Sequence, residues 1–123
     1  MKRLLAVAGA LALAAMLSAC ASTDSAGKTV FRIRAAYDAG PLVLATNYES
    51  LPRCGTVESK ICSDPGVVEE LRKADLSAVA ALDAAESFVR NHPEMDASDA
   101  IEAANLAVSV FAQILANYGI DRE

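Results

Sequence analysis

The chain has 123 residues, 54% of them hydrophobic, with eleven Lys and Arg against sixteen Asp and Glu and a formal net charge of −5. This acidic balance excludes the broad phosphate neutralisation on which nucleic-acid binding depends, and argues against wide attraction to anionic lipid head groups. The length suits one domain with a modest core.

Met1 is followed by Lys2 and Arg3, then by an apolar run from Leu4 to Leu17. A short basic start, an apolar stretch of roughly 7–15 residues and a small-residue end describe a secretory signal peptide. A bilayer-spanning helix needs about 20 apolar residues, more than this run supplies. The run ends in Leu17-Ser18-Ala19-Cys20, and Cys20 is the first cysteine of the chain. This segment resembles the lipobox of bacterial lipoproteins. The resemblance implies that residues 1–19 are cut away and that the Cys20 sulfur carries a diacylglycerol. It also implies, in Gram-negative bacteria, a third acyl chain on the new amino terminus. At about 0.8 kcal/mol per buried methylene, two or three chains anchor stably where one would be marginal. Ala21 rather than Asp after the cysteine implies the outer membrane by the family's sorting rule. The expected location is therefore the cell envelope, lipid-anchored and facing the periplasm.

Removing residues 1–19 of the 123 leaves 104 and takes Lys2 and Arg3 with it, so nine basic side chains face sixteen acidic ones, a net charge near −7. The whole-chain hydropathy is raised by the leader and does not describe the mature chain. Residues 20–28 read as a flexible tether, about 15 Å across by random-coil scaling. The domain is then 29–119, with 120–123 as a tail.

Between about 29 and 51 the positions Ile33, Tyr37, Leu44, Tyr48 and Leu51 recur at helical spacing, with Gly40 filling the gap in the stripe. Pro41 cannot donate to the Tyr37 carbonyl and must kink or split that helix. The alternating VFRIR would suit a strand, but no second strand-like segment exists to pair with it. The segment Leu51-Pro52-Arg53-Cys54-Gly55 stops the first helix. Cys54 and Cys62 then form an even pair in an exported chain, which favours a disulfide over a metal or redox site. Two sulfurs have no plausible second pair of ligands, His92 being 30 residues further on, and seven residues intervene where a redox motif has two. A second helix is predicted over 65–91. Ser63 or Asp64 caps it, Pro65 opens it, and Val68, Leu71, Ala78, Leu82, Ala85 and Val89 share one face. A third is predicted over 97–118, with Asp96 and Asp99 as an acidic capping box and Gly119 past its end. Its main stripe is Ile101, Ala104, Val108, Phe111, Leu115 and Tyr118, and a second row of Leu106, Val110 and Ile114 is expected to broaden the buried face. Comparable lengths, about 34, 40 and 33 Å, predict an all-α, three-helix up-down-up antiparallel bundle with the disulfide stapling the first interhelical turn.

The residues offer little chemistry. No G-x-S-x-G, H-E-x-x-H or phosphate-cradling glycine loop is present. His92, the sole histidine, suits a helix C-terminus. Asp96, Asp99 and Glu102 lack the spacing of a calcium loop and belong at a helix start. Arg32 and Arg34, close to the tether, read as a solvated face or as partners of lipid head groups. Asn47, Asn105 and Gln113 are expected to set register or lie at the surface. The loop between the cysteines carries Val57, Glu58, Lys60 and Ile61; held at both ends, it either binds a partner at reduced entropic cost or covers the end of the bundle. No catalytic residue, metal site or cofactor is expected. The reading is a small non-enzymatic envelope lipoprotein that binds or positions a protein partner; its thin, alanine-rich core leaves self-association open. The alternative is a phage-derived lysis or envelope-disruption lipoprotein, although those often have proline-rich, extended mature chains.

Overall fold

The computed structural model describes residues 26–58 and 60–120. The segment expected to be leader and lipobox, with Cys20, the rest of the expected tether to residue 25, residue 59 and residues 121–123 lie outside the described residues. Within them the chain is all-α, with helices α1 (Ala26–Ala39), α2 (Pro41–Glu49), α3 (Pro65–Asn91) and α4 (Ser98–Asn117). No strand occurs among the described residues, only the isolated bridges Arg53–Ser63 and Cys54–Val57.

Helices α1 and α2 are one helical arm interrupted once. The Gly40 N–H reaches the Ala36 carbonyl at 3.1 Å and the Leu44 N–H reaches the Gly40 carbonyl at 3.2 Å. Between them Pro41 has no N–H to offer Tyr37, and Gly40 takes φ −116°, ψ −91°. Gly40-Pro41 therefore splits the helix. A Cβ at Gly40 would sit 3.2 Å from the Ala36 carbonyl oxygen, so glycine eases the tight approach there. α1 begins at Ala26, inside the stretch 20–28 read as tether, and includes the VFRIR segment.

Helix α3 starts where its cap permits. Asp64 Oδ1 accepts from the Gly66 and Val67 N–H groups at 2.8 and 3.2 Å, and Pro65 occupies a first-turn position where a missing N–H costs nothing. Helix α4 starts differently from the acidic capping box. Asp96 accepts from the N–H and the hydroxyl of Ser98, at 2.9 and 2.5 Å, and Ala97 stands at the N-cap without a side-chain cap. With Ala97 there, the third helical position falls on Ala100 and the spacing of a box is lost. At the other end Gly119 adopts φ +67°, its N–H reaching the Ala116 carbonyl at 3.0 Å while that of Ile120 reaches Leu115 at 2.9 Å. This is the paired-bond Schellman ending that glycine permits.

The core is small. Its largest fully buried side chains are Tyr37, Phe111, Leu71, Leu82 and Val30, and Ala45, Ala78, Ala85 and Ala104 fill the close approaches between helices. Tyr37 and Phe111 meet edge to face, with centroids 5.3 Å apart and planes at 68°. The Tyr37 hydroxyl donates to Asp75 on α3. Arg34, expected on a solvated or lipid-facing surface, instead ties α1 to α3 through Asp83 at 2.5 Å and Glu86 at 3.1 Å. Arg72 pairs with Glu49 at 3.5 Å, and the Tyr118 hydroxyl donates to Glu70 at 2.6 Å.

Two features depart from the apolar pattern. On α3 the buried face opens with Val67, and Val68 is only partly covered. On α4 the second row broadens the core only at Ile114, which packs against it partly buried; Leu106 is 65% and Val110 45% exposed, and Tyr118 of the main stripe is half exposed. Successive residues on a helix point about 100° apart, and with Phe111 directed into the core Val110 beside it falls in the uncovered sector. The other arms cover the sector of Ala104, Phe111 and Leu115 and leave the Leu106 sector open.

Candidate interaction surface at the stapled turn

The turn between α2 and α3 is held by more than its sulfurs. The Cys54–Cys62 disulfide is present, with Cα atoms 4.9 Å apart. Beneath it the Ser63 N–H reaches the Pro52 carbonyl at 2.8 Å, the Cys54 N–H reaches the Ser63 carbonyl at 3.0 Å, and the Ser63 hydroxyl donates to the Leu51 carbonyl at 3.0 Å. Ser63 is buried, and all of its polar atoms named here have partners, as a buried hydroxyl requires. The Asp64 N–H donates to the Tyr48 hydroxyl at 2.8 Å, fastening the end of the turn to α2. At the tip Gly55 takes φ +89°, a left-handed conformation that side chains resist, and Thr56 folds back onto the Arg53 carbonyl through its N–H and its hydroxyl, at 3.2 and 2.6 Å.

This scaffold presents Val57, Glu58, Lys60 and Ile61 to solvent. Ile61 is 70% exposed and lines an open groove of about 700 Å³ between α2 and the end of α4. Val43, Asn47 and Tyr48 supply one wall, Tyr118 and Ile120 the other. Val57, Glu58 and Lys60 stand on the same loop outside the groove. Ile61 and Asn47 therefore come together, whereas Asn105 and Gln113 lie at the exposed surface of α4. The hydroxyl of Tyr118 is raised above its ordinary range, first by donating to the Glu70 carboxylate and then by that carboxylate's charge, so it stays a neutral donor on the rim.

Sequence reasoning placed Ile61 at this surface but not Val43, Tyr48 or Tyr118. One signal was available for Val43: the run Leu42-Val43-Leu44 makes a nine-residue helix apolar on more than one side. Tyr48 and Tyr118 reach the groove because the chain ends of two different helices meet there, which no local pattern records.

Local structure accounts for His92 and Asp96. His92 caps the end of α3, its N–H on the Phe88 carbonyl at 2.8 Å and its ring 5.3 Å from the Phe88 ring. Asp96 is engaged by Ser98, which holds its carboxyl below the usual range through the hydroxyl and then the N–H. Among the described residues no group of three or more His, Cys, Asp or Glu is placed to hold a metal ion. The groove offers an apolar floor with hydroxyl and amide groups at its edge, a surface of a size to take a side chain or short segment. Compared with known protein families, with curated proteins and with solved structures, the chain matches none.

Proposed function

We propose that this is a small, non-enzymatic envelope lipoprotein, anchored through acylated Cys20, whose stapled end binds and positions a protein partner on the periplasmic side of a membrane. The exposed groove beside the disulfide, with Ile61 at 70% exposure, is the observation that carries this reading. An apolar side chain held open on a cross-linked turn loses little conformational freedom on binding, which is how preorganised surfaces gain affinity. The disulfide itself fits an oxidising compartment.

Distance supports a spacer role. We take the arms as an up-down-up antiparallel bundle, supported by cross-arm pairs of opposite numbering: Arg34 with Asp83 and Glu86, Tyr37 with Asp75 and Glu49 with Arg72 between the first arm and α3, and Tyr118 past the end of α4 with Glu70 near the start of α3. The 27 residues of α3 are then about 40 Å long, with the start of α1 near one end and the groove near the other. An anchor preceding α1 and a recognition surface at the far end would hold the partner away from the bilayer. The outer membrane remains the favoured site on the lipobox resemblance and Ala21.

The test is cross-linking in intact cells of the native protein, Cys20→Ser and Ile61→Asp, followed by mass spectrometry of the captured proteins. A defined envelope partner that is captured by the native chain and lost with either variant supports the reading. Capture that is unaffected by Ile61→Asp removes the groove from it. Cell lysis on expression, with no defined partner, would favour the envelope-disruption alternative.

A further inference from the structure

We propose that the tether-side end of the domain rests against the lipid bilayer, with the ring of Phe31 at headgroup depth and the cations Lys28 and Arg90 on the same end of the domain. The inference rests on the reading of Cys20 as the lipid anchor and adds where the folded domain meets the membrane. Phe31 is 70% exposed, although Val30 beside it and Tyr37 two turns on are fully buried. The core of α1 is thus complete without it. Its ring stands at a shallow hollow of about 530 Å³, bordered by Gly27, Arg34, Glu86, Val89 and Arg90, so the start of α1 and the end of α3 form one surface. The turn after α3 carries a further exposed apolar side chain, Met95.

Chain length limits how far this surface can lie from the membrane. Cys20 precedes Ala26 by six residues, and six residues fully extended span at most about 20 Å. Phe31 follows Ala26 by little more than one helical turn. The anchor makes contact with the bilayer intramolecular, so a weak local interaction is enough to orient the domain. A second copy of the chain is a poorer occupant, because a stable protein interface takes about 800 Å² per partner and this surface centres on a single aromatic ring.

The chemistry suits an interface between water and lipid. An aromatic ring enters the boundary while long cationic side chains bury their stems and keep their charges among phosphates. Lys28, three positions before Phe31 on α1, and Arg90, which borders the same hollow, are both exposed. Glu86, which borders the hollow, is engaged by Arg34, as is Asp83 one turn earlier. Glu94 and Asp96 on the following turn oppose the contact, so the ring and the anchor carry it rather than net charge.

The native chain has no Trp, so a single introduced indole reports its own surroundings. Phe31→Trp and, at the far end, Ile61→Trp would each be extracted in acylated form from cell membranes. Each would be reconstituted in vesicles of phosphatidylethanolamine and phosphatidylglycerol, with and without brominated acyl chains. The expected result is that Phe31→Trp emits at shorter wavelength and is quenched severalfold more by brominated lipid than Ile61→Trp. Acylated protein that floats with vesicles but shows equal quenching at both positions, or none at either, overturns the inference and leaves the anchor intact. An unmodified mass at Cys20, with no flotation, removes the anchor and this inference with it.

Discussion

The contact between Tyr37 and Asp75 lies at the centre of the core, and replacing Tyr37 by Phe separates its hydroxyl from its ring. The ring is fully buried and packs on Phe111, so Phe keeps the volume and the edge-to-face contact. What is lost is the hydrogen bond from the hydroxyl to the Asp75 carboxylate. Hydrogen bonds to charged groups contribute about 1.5–3 kcal/mol, and Asp75, half-buried, is left without that donor. At about 4–8 °C per kcal/mol for a domain of this size, Tm falls by about 6 °C or more at neutral pH. Burial first, and the Asp75 bond second, raise the Tyr37 hydroxyl above its ordinary value of 10.0. Above pH 10 the unfolded chain releases this proton while the folded chain keeps it. The contribution is therefore complete below pH 10 and is lost as pH rises beyond it, at about 1.4 kcal/mol per pH unit. Urea unfolding followed by circular dichroism, under oxidising conditions from pH 7 to pH 12, measures both effects. The difference between native and Tyr37→Phe should be constant up to about pH 10 and shrink above it, while groups common to both, such as Tyr118, cancel. Equal stability at pH 7, or a difference that does not change with alkaline pH, would refute this account of the core.

Two further stability measurements probe the stapled turn and the helix it introduces. Replacing Cys54 and Cys62 together by Ser should cost about 2–3 kcal/mol in the chain-entropy account of a loop this short, read as a lower urea midpoint with α3 and α4 still helical; an unchanged midpoint would mean the backbone bonds around Ser63 hold the turn alone. Asp64→Ala removes the acceptor for the Gly66 and Val67 N–H groups and should cost about 0.5–2 kcal/mol, whereas Asp96→Ala, whose partner Ser98 lies outside a capping box, should cost less in the same assay. For the surface residues, Ile61→Asp should leave the unfolding free energy from the same urea assay within about 0.5 kcal/mol of native, since the side chain is 70% exposed, while partner capture is lost.

The sequence by itself determined the helical character, the start of α3 and the end of α4. These depend on neighbours in the chain: Asp64 before Pro65 satisfies the first N–H groups of a helix, and Gly119 alone tolerates the left-handed turn that closes one. The disulfide was legible for a similar reason, because two cysteines eight positions apart on one turn have no better partner. The same local logic failed at α4, where apolar periodicity marked a wide face but not which part of it is covered. That depends on how the helix is rotated against the other arms, so Phe111 is buried and Leu106 is not. Tertiary structure alone decided that Asp75 would accept from Tyr37, 38 positions away, and that Arg34 would bind α3 rather than face solvent. It also decided that Ile61 would meet Tyr48 and Tyr118 at one groove. Such pairings join residues far apart in the chain, and the pattern of a single helix carries no information about what another helix presents to it.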